Sequence, residues 1–63
     1  MDSSDTTILV VEDDPAVRDA LERALGFEGY MVETARDGGV ALSMIRDSEY
    51  DLVVLDVMMP YVD

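Results

Sequence analysis

The chain has 63 residues, 49% of them hydrophobic, and a net charge of −11 from 15 acids against 4 arginines, with no lysine, histidine or cysteine. That length holds one small domain which buries only about 60% of its unfolded surface, while the apolar content is too high for a disordered chain. The charge excludes direct nucleic-acid contact, which needs a basic surface, and disfavours an anionic membrane; it favours divalent cations or a basic protein face, and without cysteine there is no disulfide or thiolate metal site.

Met1 to Thr6 is polar and is expected to be disordered; its acids and lack of bases are unlike a secretory leader. With no apolar run of about 18 residues to span a membrane, the expected compartment is the cytoplasm. Thr7 to Val11 reads as a strand, because Ile8, Leu9, Val10 and Val11 form an unbroken apolar run of the kind buried on both faces. Glu12, Asp13 and Asp14 end it, and Pro15 suits the first position of a helix, with Asp14 as its N-cap. In that helix, Pro15 to about Phe27, Val17, Leu21, Ala24 and Leu25 share one face, and Arg18, Asp19, Glu22 and Arg23 the other. Arg18 with Glu22 and Asp19 with Arg23 stand at ion-pair spacing. Gly29 is the expected C-terminal cap.

Tyr30 to Ala35 reads as a second strand, at an edge because Glu33 and Thr34 interrupt it. Asp37-Gly38-Gly39 is a turn. A short helix follows on Val40, Ala41, Met44 and Ile45, ending near Asp47 and Ser48. Leu52 to Leu55 forms a third apolar strand, followed at once by Asp56. The order βαβαβ predicts an α/β fold with parallel strands and right-handed crossovers. Strands one and three, the most apolar, belong side by side, and the spatial order is 2-1-3.

Parallel α/β sheets bind ligands at the carboxyl ends of their strands, where strand order reverses. Here that place lies between strands one and three. Glu12 and Asp13 leave one strand there and Asp56 leaves the other, so three acids from distant segments converge. Asp51 precedes the third strand, roughly 17 Å away at the strand rise, and should take no part. Clustered carboxylates need raised pKa values or a bound cation. Oxygen-only donors suit Mg2+, and a carboxylate can also act as nucleophile toward phosphorus. Asp14 is set aside as a cap, Met58 and Met59 as packing or loop residues, and Met31 and Met44 as core. No glycine-rich nucleotide motif is present.

The segments Ile8-Leu9-Val10-Val11-Glu12-Asp13-Asp14 and Leu52-Val53-Val54-Leu55-Asp56-Val57-Met58-Met59-Pro60, with Asp37-Gly38 before Ala41-Leu42, resemble the receiver domains of two-component response regulators. The resemblance implies the N-terminal βαβαβ half of a flavodoxin-like (CheY-like) doubly wound parallel sheet over residues 7–63. It makes Asp56 the phosphoacceptor. Asp13 would ligate Mg2+ directly, Glu12 directly or through water, and Met58 through its backbone carbonyl. The phosphoryl donor would be a phosphohistidine on a sensor histidine kinase. The wording of the segments is similar to bacterial transcription regulators of the OmpR/PhoB type, which carry a winged-helix DNA-binding domain after the receiver.

The family pattern is roughly twice this length, and its further βα units carry a Ser or Thr and a Lys toward the phosphate. The sequence is therefore expected to be an incomplete receiver: either the retained part of a longer chain, or a fragment whose copies pair through the exposed third strand, Leu52 to Leu55. The leading reading is a phosphorelay substrate rather than an enzyme. A phosphatase with an aspartyl nucleophile would place a second Asp two residues after Asp56, where this chain has Met58. The alternative from a different class is a truncated, phosphorylation-incompetent interaction fragment.

Overall fold

The computed structural model describes residues 5–55. Five elements follow in order: β1 (Thr7–Val11), α1 (Pro15–Phe27), β2 (Met31–Ala35), α2 (Gly38–Asp47) and β3 (Leu52–Leu55). The strands form one parallel sheet in the order β2-β1-β3, as expected from the alternation of strands and helices. The register sets Thr7 beside Met31 and Val11 beside Ala35 on one side of β1. On the other side it sets Ile8 beside Leu52 and Val11 beside Leu55.

Central β1 is buried on both faces, which is why its apolar residues run without alternation. Leu9 and Val11 pack with Ala35 and with Ala41 of α2, and Val40, Met44 and Tyr50 close around them. Ile8 and Val10 point the other way, since side chains alternate along a strand, and are equally buried. Crossovers of one hand that step in opposite directions put the two helices on opposite faces. α1 thus lies over Ile8 and Val10, with Leu21 and Leu25 half-buried against the sheet.

The termini of α1 follow from local chemistry. Asp14 is extended and its carboxylate accepts the Ala16 and Val17 amides, with Pro15 in the first turn. At the other end the Gly29 N–H donates to Gly26 O (3.0 Å) and the Tyr30 N–H to Leu25 O (3.3 Å). This is a Schellman arrangement, and it needs the positive φ of 98° that Gly29 adopts. Asp19 pairs with Arg23 at 3.6 Å.

Four expectations need correction. Gly38 and Gly39 are not a separate turn: they form the first turn of α2, capped by Asp37, whose carboxylate accepts the Val40 amide at 2.9 Å. Burial of Ala41 and Val40 on Leu9 and Val11 outweighs the low helix propensity of glycine. β2 begins at Met31, not Tyr30, because the Tyr30 amide is used by the helix cap. Met31 is 57% exposed rather than core, at the start of an edge strand. Arg18 does not pair with Glu22 on the solvent side; it is half-buried and its guanidinium donates to the Glu12 carbonyl.

β3 has β1 as its one strand partner among the described residues, and Leu52, Val53 and Leu55 are exposed. On the opposite edge the Tyr50 hydroxyl donates to Glu33 at 2.6 Å. That hydrogen bond raises the Tyr50 phenol above its ordinary pKa, with burial and the Glu33 charge adding to it. Among the described residues, no helix is long and apolar enough to cross a membrane.

Candidate functional site

The carboxyl ends of β1 and β3 lie side by side, with Val11 directly opposite Leu55. Three consecutive acids follow Val11, and the fold assigns each a different task. Glu12 is 2% exposed. Its N–H continues the sheet by donating to Ala35 O at 3.0 Å, and its carboxylate Oε2 accepts the Asp14 N–H at 2.9 Å. A buried carboxylate is tolerated only where it is hydrogen-bonded, and this short side-chain-to-backbone turn provides one such bond. Asp13 is exposed, and its side chain makes no hydrogen bond or ion pair among the described residues. Asp14 is occupied as the cap of α1.

Asp51 stands at the other end of the sheet. Its carboxylate accepts the Thr7 N–H and its own N–H donates to Thr7 O, both at 2.8 Å, at the start of β1. Asp51 is therefore at the opposite end of β1 from Glu12 and Asp13. Asp56 and Met58 lie outside the described residues, and among those described no three acids, histidines or cysteines gather as a metal centre. What the described donors offer does suit a hard divalent ion. Magnesium takes one or two carboxylates and keeps several waters, and Asp13 presents an uncommitted, solvent-exposed carboxylate beside the buried Glu12.

One residue of the site region escaped the sequence reading. Arg18 Nη1 donates to the Glu12 carbonyl at 3.0 Å, from six residues further along the chain. It also borders an open depression of about 500 Å³ on the outer side of α1, lined by Pro15, Ala16, Asp19 and Glu22. The spacing of Arg18 from Glu22 had pointed to a surface ion pair, and nothing in the helical periodicity signals the strand end that the side chain reaches.

Comparison with known proteins bears on this geometry. Residues 8–63 match the family described as response regulator receiver domain. Response regulator MprA from Mycobacterium sp. (strain KMS) is 59% identical over 56 residues, which cover 89% of this chain and 24% of that protein. The protein of the same name from Mycobacterium tuberculosis (strain ATCC 25177 / H37Ra) gives the same figures. A crystal structure of response regulator protein TrrA from Thermotoga maritima, in complex with Mg(2+)-BeF, superposes with a TM-score of 0.81 at 43% identity, covering 92% of this chain and 50% of that one. The chain thus spans about a quarter of the length of these curated relatives and half of the TrrA chain.

Proposed function

The chain belongs to the response regulator receiver domain family, and from that premise we propose that it is a magnesium-dependent phosphoacceptor in which Asp56 takes a phosphoryl group from a sensor histidine kinase. The observation that carries this reading is the register of Val11 with Leu55. Asp56 is one peptide beyond Leu55, a Cα step of about 3.8 Å, and Glu12 and Asp13 are one and two beyond Val11. Asp13 and Asp56 would bind Mg2+ through their carboxylates, the Met58 carbonyl would add a ligand, and Glu12 would act directly or through water. The Mg(2+)-BeF complex of TrrA supports magnesium as the ion.

In the transfer, an Asp56 carboxylate oxygen attacks phosphorus and the P–N bond of a phosphohistidine breaks. The electron pair stays on the imidazole nitrogen, which takes up a proton, and an aspartyl phosphate remains. Magnesium, when bound, neutralises charge on the phosphoryl oxygens. Asp13 holds its carboxylate open to solvent for that purpose, while buried Glu12 shapes the turn. The domain acts as a substrate rather than a turnover enzyme. It would serve a transcription regulator whose DNA-binding effector is a separate domain, working in the cytoplasm, over a receiver unit covering residues 7–63. With Mg2+ and acetyl phosphate, intact-mass measurement should find one phosphoryl adduct, lost in Asp56→Asn. An adduct that persists in that variant contradicts the assignment.

A further inference from the structure

The exposed Asp13 carboxylate is held by a backbone that is fixed from both sides. The Glu12 carbonyl and the Asp13 N–H belong to one planar peptide unit, and Arg18 Nη1 holds that unit through the carbonyl at 3.0 Å. The next unit carries the Asp14 N–H, and the Glu12 carboxylate holds it at 2.9 Å. The two planes that flank the Asp13 Cα are thus tied down, one by Arg18 and one by Glu12, while the Asp13 side chain is left to a ligand. The unit before Glu12 is anchored in turn by its N–H to Ala35 O at 3.0 Å.

The choice Arg18 makes is informative. Asp14 lies one helical turn behind it and Glu22 one turn ahead, both at ion-pair spacing. Arg23 and Arg36 do sit beside carboxylates, Asp19 and Asp37, each at 3.6 Å. Arg18 instead donates to a neutral carbonyl at the end of β1 and is half-buried in doing so. A hydrogen bond from a charged donor is stronger than one between neutral groups.

We propose that Arg18 is a positioning residue for the metal site: by holding the Glu12 carbonyl it fixes the peptide plane that aims Asp13 at the cation. The proposal rests on the magnesium-dependent reading above. Arg18 is also a positive charge beside a cation site, and its removal would by itself favour Mg2+. The two effects are separated at about 0.5 M salt, where the screening length falls to roughly 4 Å.

The test titrates Mg2+ into the full chain and its Arg18→Met, Arg18→Lys, Arg23→Met and Asp13→Asn variants at that salt, and follows amide exchange of Asp14 in the metal-free proteins. Arg18→Met should weaken Mg2+ about tenfold and speed Asp14 exchange by a similar factor. Arg18→Lys, which keeps the charge with a shorter reach, should fall between. Arg23→Met should change neither, as a control of equal charge on the same helix. Should Arg18→Met fail to fold, the lysine variant carries the comparison. Magnesium affinity within twofold of wild type in the Arg18 variants overturns the proposal, whether or not exchange quickens. Failure of the magnesium reading itself is recognised separately, by a wild-type chain that does not bind Mg2+ or an Asp13→Asn variant that binds it equally well.

Discussion

Asp13 and Asp14 are adjacent acids with opposite fates, and replacing each in turn tests the division. Asp14→Ala removes the acceptor for the Ala16 N–H at 2.9 Å and the Val17 N–H at 3.3 Å. Loss of such a cap typically costs about 1 kcal/mol, within a range of about 0.5–2. A domain of this size shifts its Tm by about 4–8 °C per kcal/mol, so the midpoint should fall by roughly 4–8 °C for a typical loss. Asp13→Asn breaks no hydrogen bond or ion pair among the described residues, and it relieves repulsion among acids. Its metal-free Tm should therefore stay level or rise slightly. Magnesium at ten times its Kd adds about 1.4 kcal/mol of stability to any form that binds it. Wild type and Asp14→Ala should both gain that increment, and Asp13→Asn should not. The assay is thermal melting by circular dichroism with and without Mg2+. An Asp14→Ala chain that melts like wild type but no longer responds to magnesium would refute the reasoning, as would an Asp13→Asn chain that melts early without metal.

Leu9 is fully buried at the centre of the sheet, so Leu9→Ala should cost about 3–5 kcal/mol and leave no cooperative urea transition; a transition retained near the wild-type midpoint contradicts the assigned core. Tyr50 is held protonated by Glu33: because its folded pKa is raised, its contribution to stability is complete below its ordinary pKa of about 10 and is lost as pH climbs through the higher folded value. In an ultraviolet titration of the three tyrosines it should ionise after its ordinary range, and Tyr50→Phe should delete that late step rather than an early one. The exposed Leu52 and Leu55 on β3 should make the 63-residue chain self-associate through that edge; sedimentation equilibrium of the double variant Leu52→Lys/Leu55→Lys should show less association, and a wild-type monomer at all concentrations speaks against edge pairing.

Where single residues carry unambiguous local chemistry, sequence and structure agree closely. Asp14 with Pro15 at one end and Gly29 at the other bound α1 within a residue, because capping geometry is a short-range matter. The unbroken apolar runs Ile8–Val11 and Leu52–Leu55 located the two strands that pair at the site, and the alternation of strands and helices settled parallel pairing. Apart from the start of β2, which the local cap of α1 sets, the misses turn on tertiary contact. Gly38 and Gly39 look like a turn until the burial of Ala41 draws them into a helix. Arg18 belongs to a solvent face by helical arithmetic, yet the end of β1 lies within its reach. Met31 is apolar and falls in a strand, but at the start of an edge strand it has little to pack against. At the site, the sequence showed that Glu12 and Asp13 leave the carboxyl end of β1; it did not distinguish the buried Glu12 from the open Asp13, because burial depends on how the chain turns after Val11. Asp56 and Met58 lie outside the described residues, so the roles proposed for them draw on the family and on the register that ends at Leu55.

Paramagnetic Mn2+ in place of Mg2+ tests the proposed common site of Asp13 and Asp56 directly, through distance-dependent broadening of amide signals. At substoichiometric Mn2+, the amides of Asp13, Asp56 and Met58 should broaden together, while those of Thr7 and Asp51, joined at the far end of β1, stay sharp. Broadening at Asp13 with a sharp Asp56 signal, or broadening at Asp51 in its place, would contradict a common site for the two aspartates.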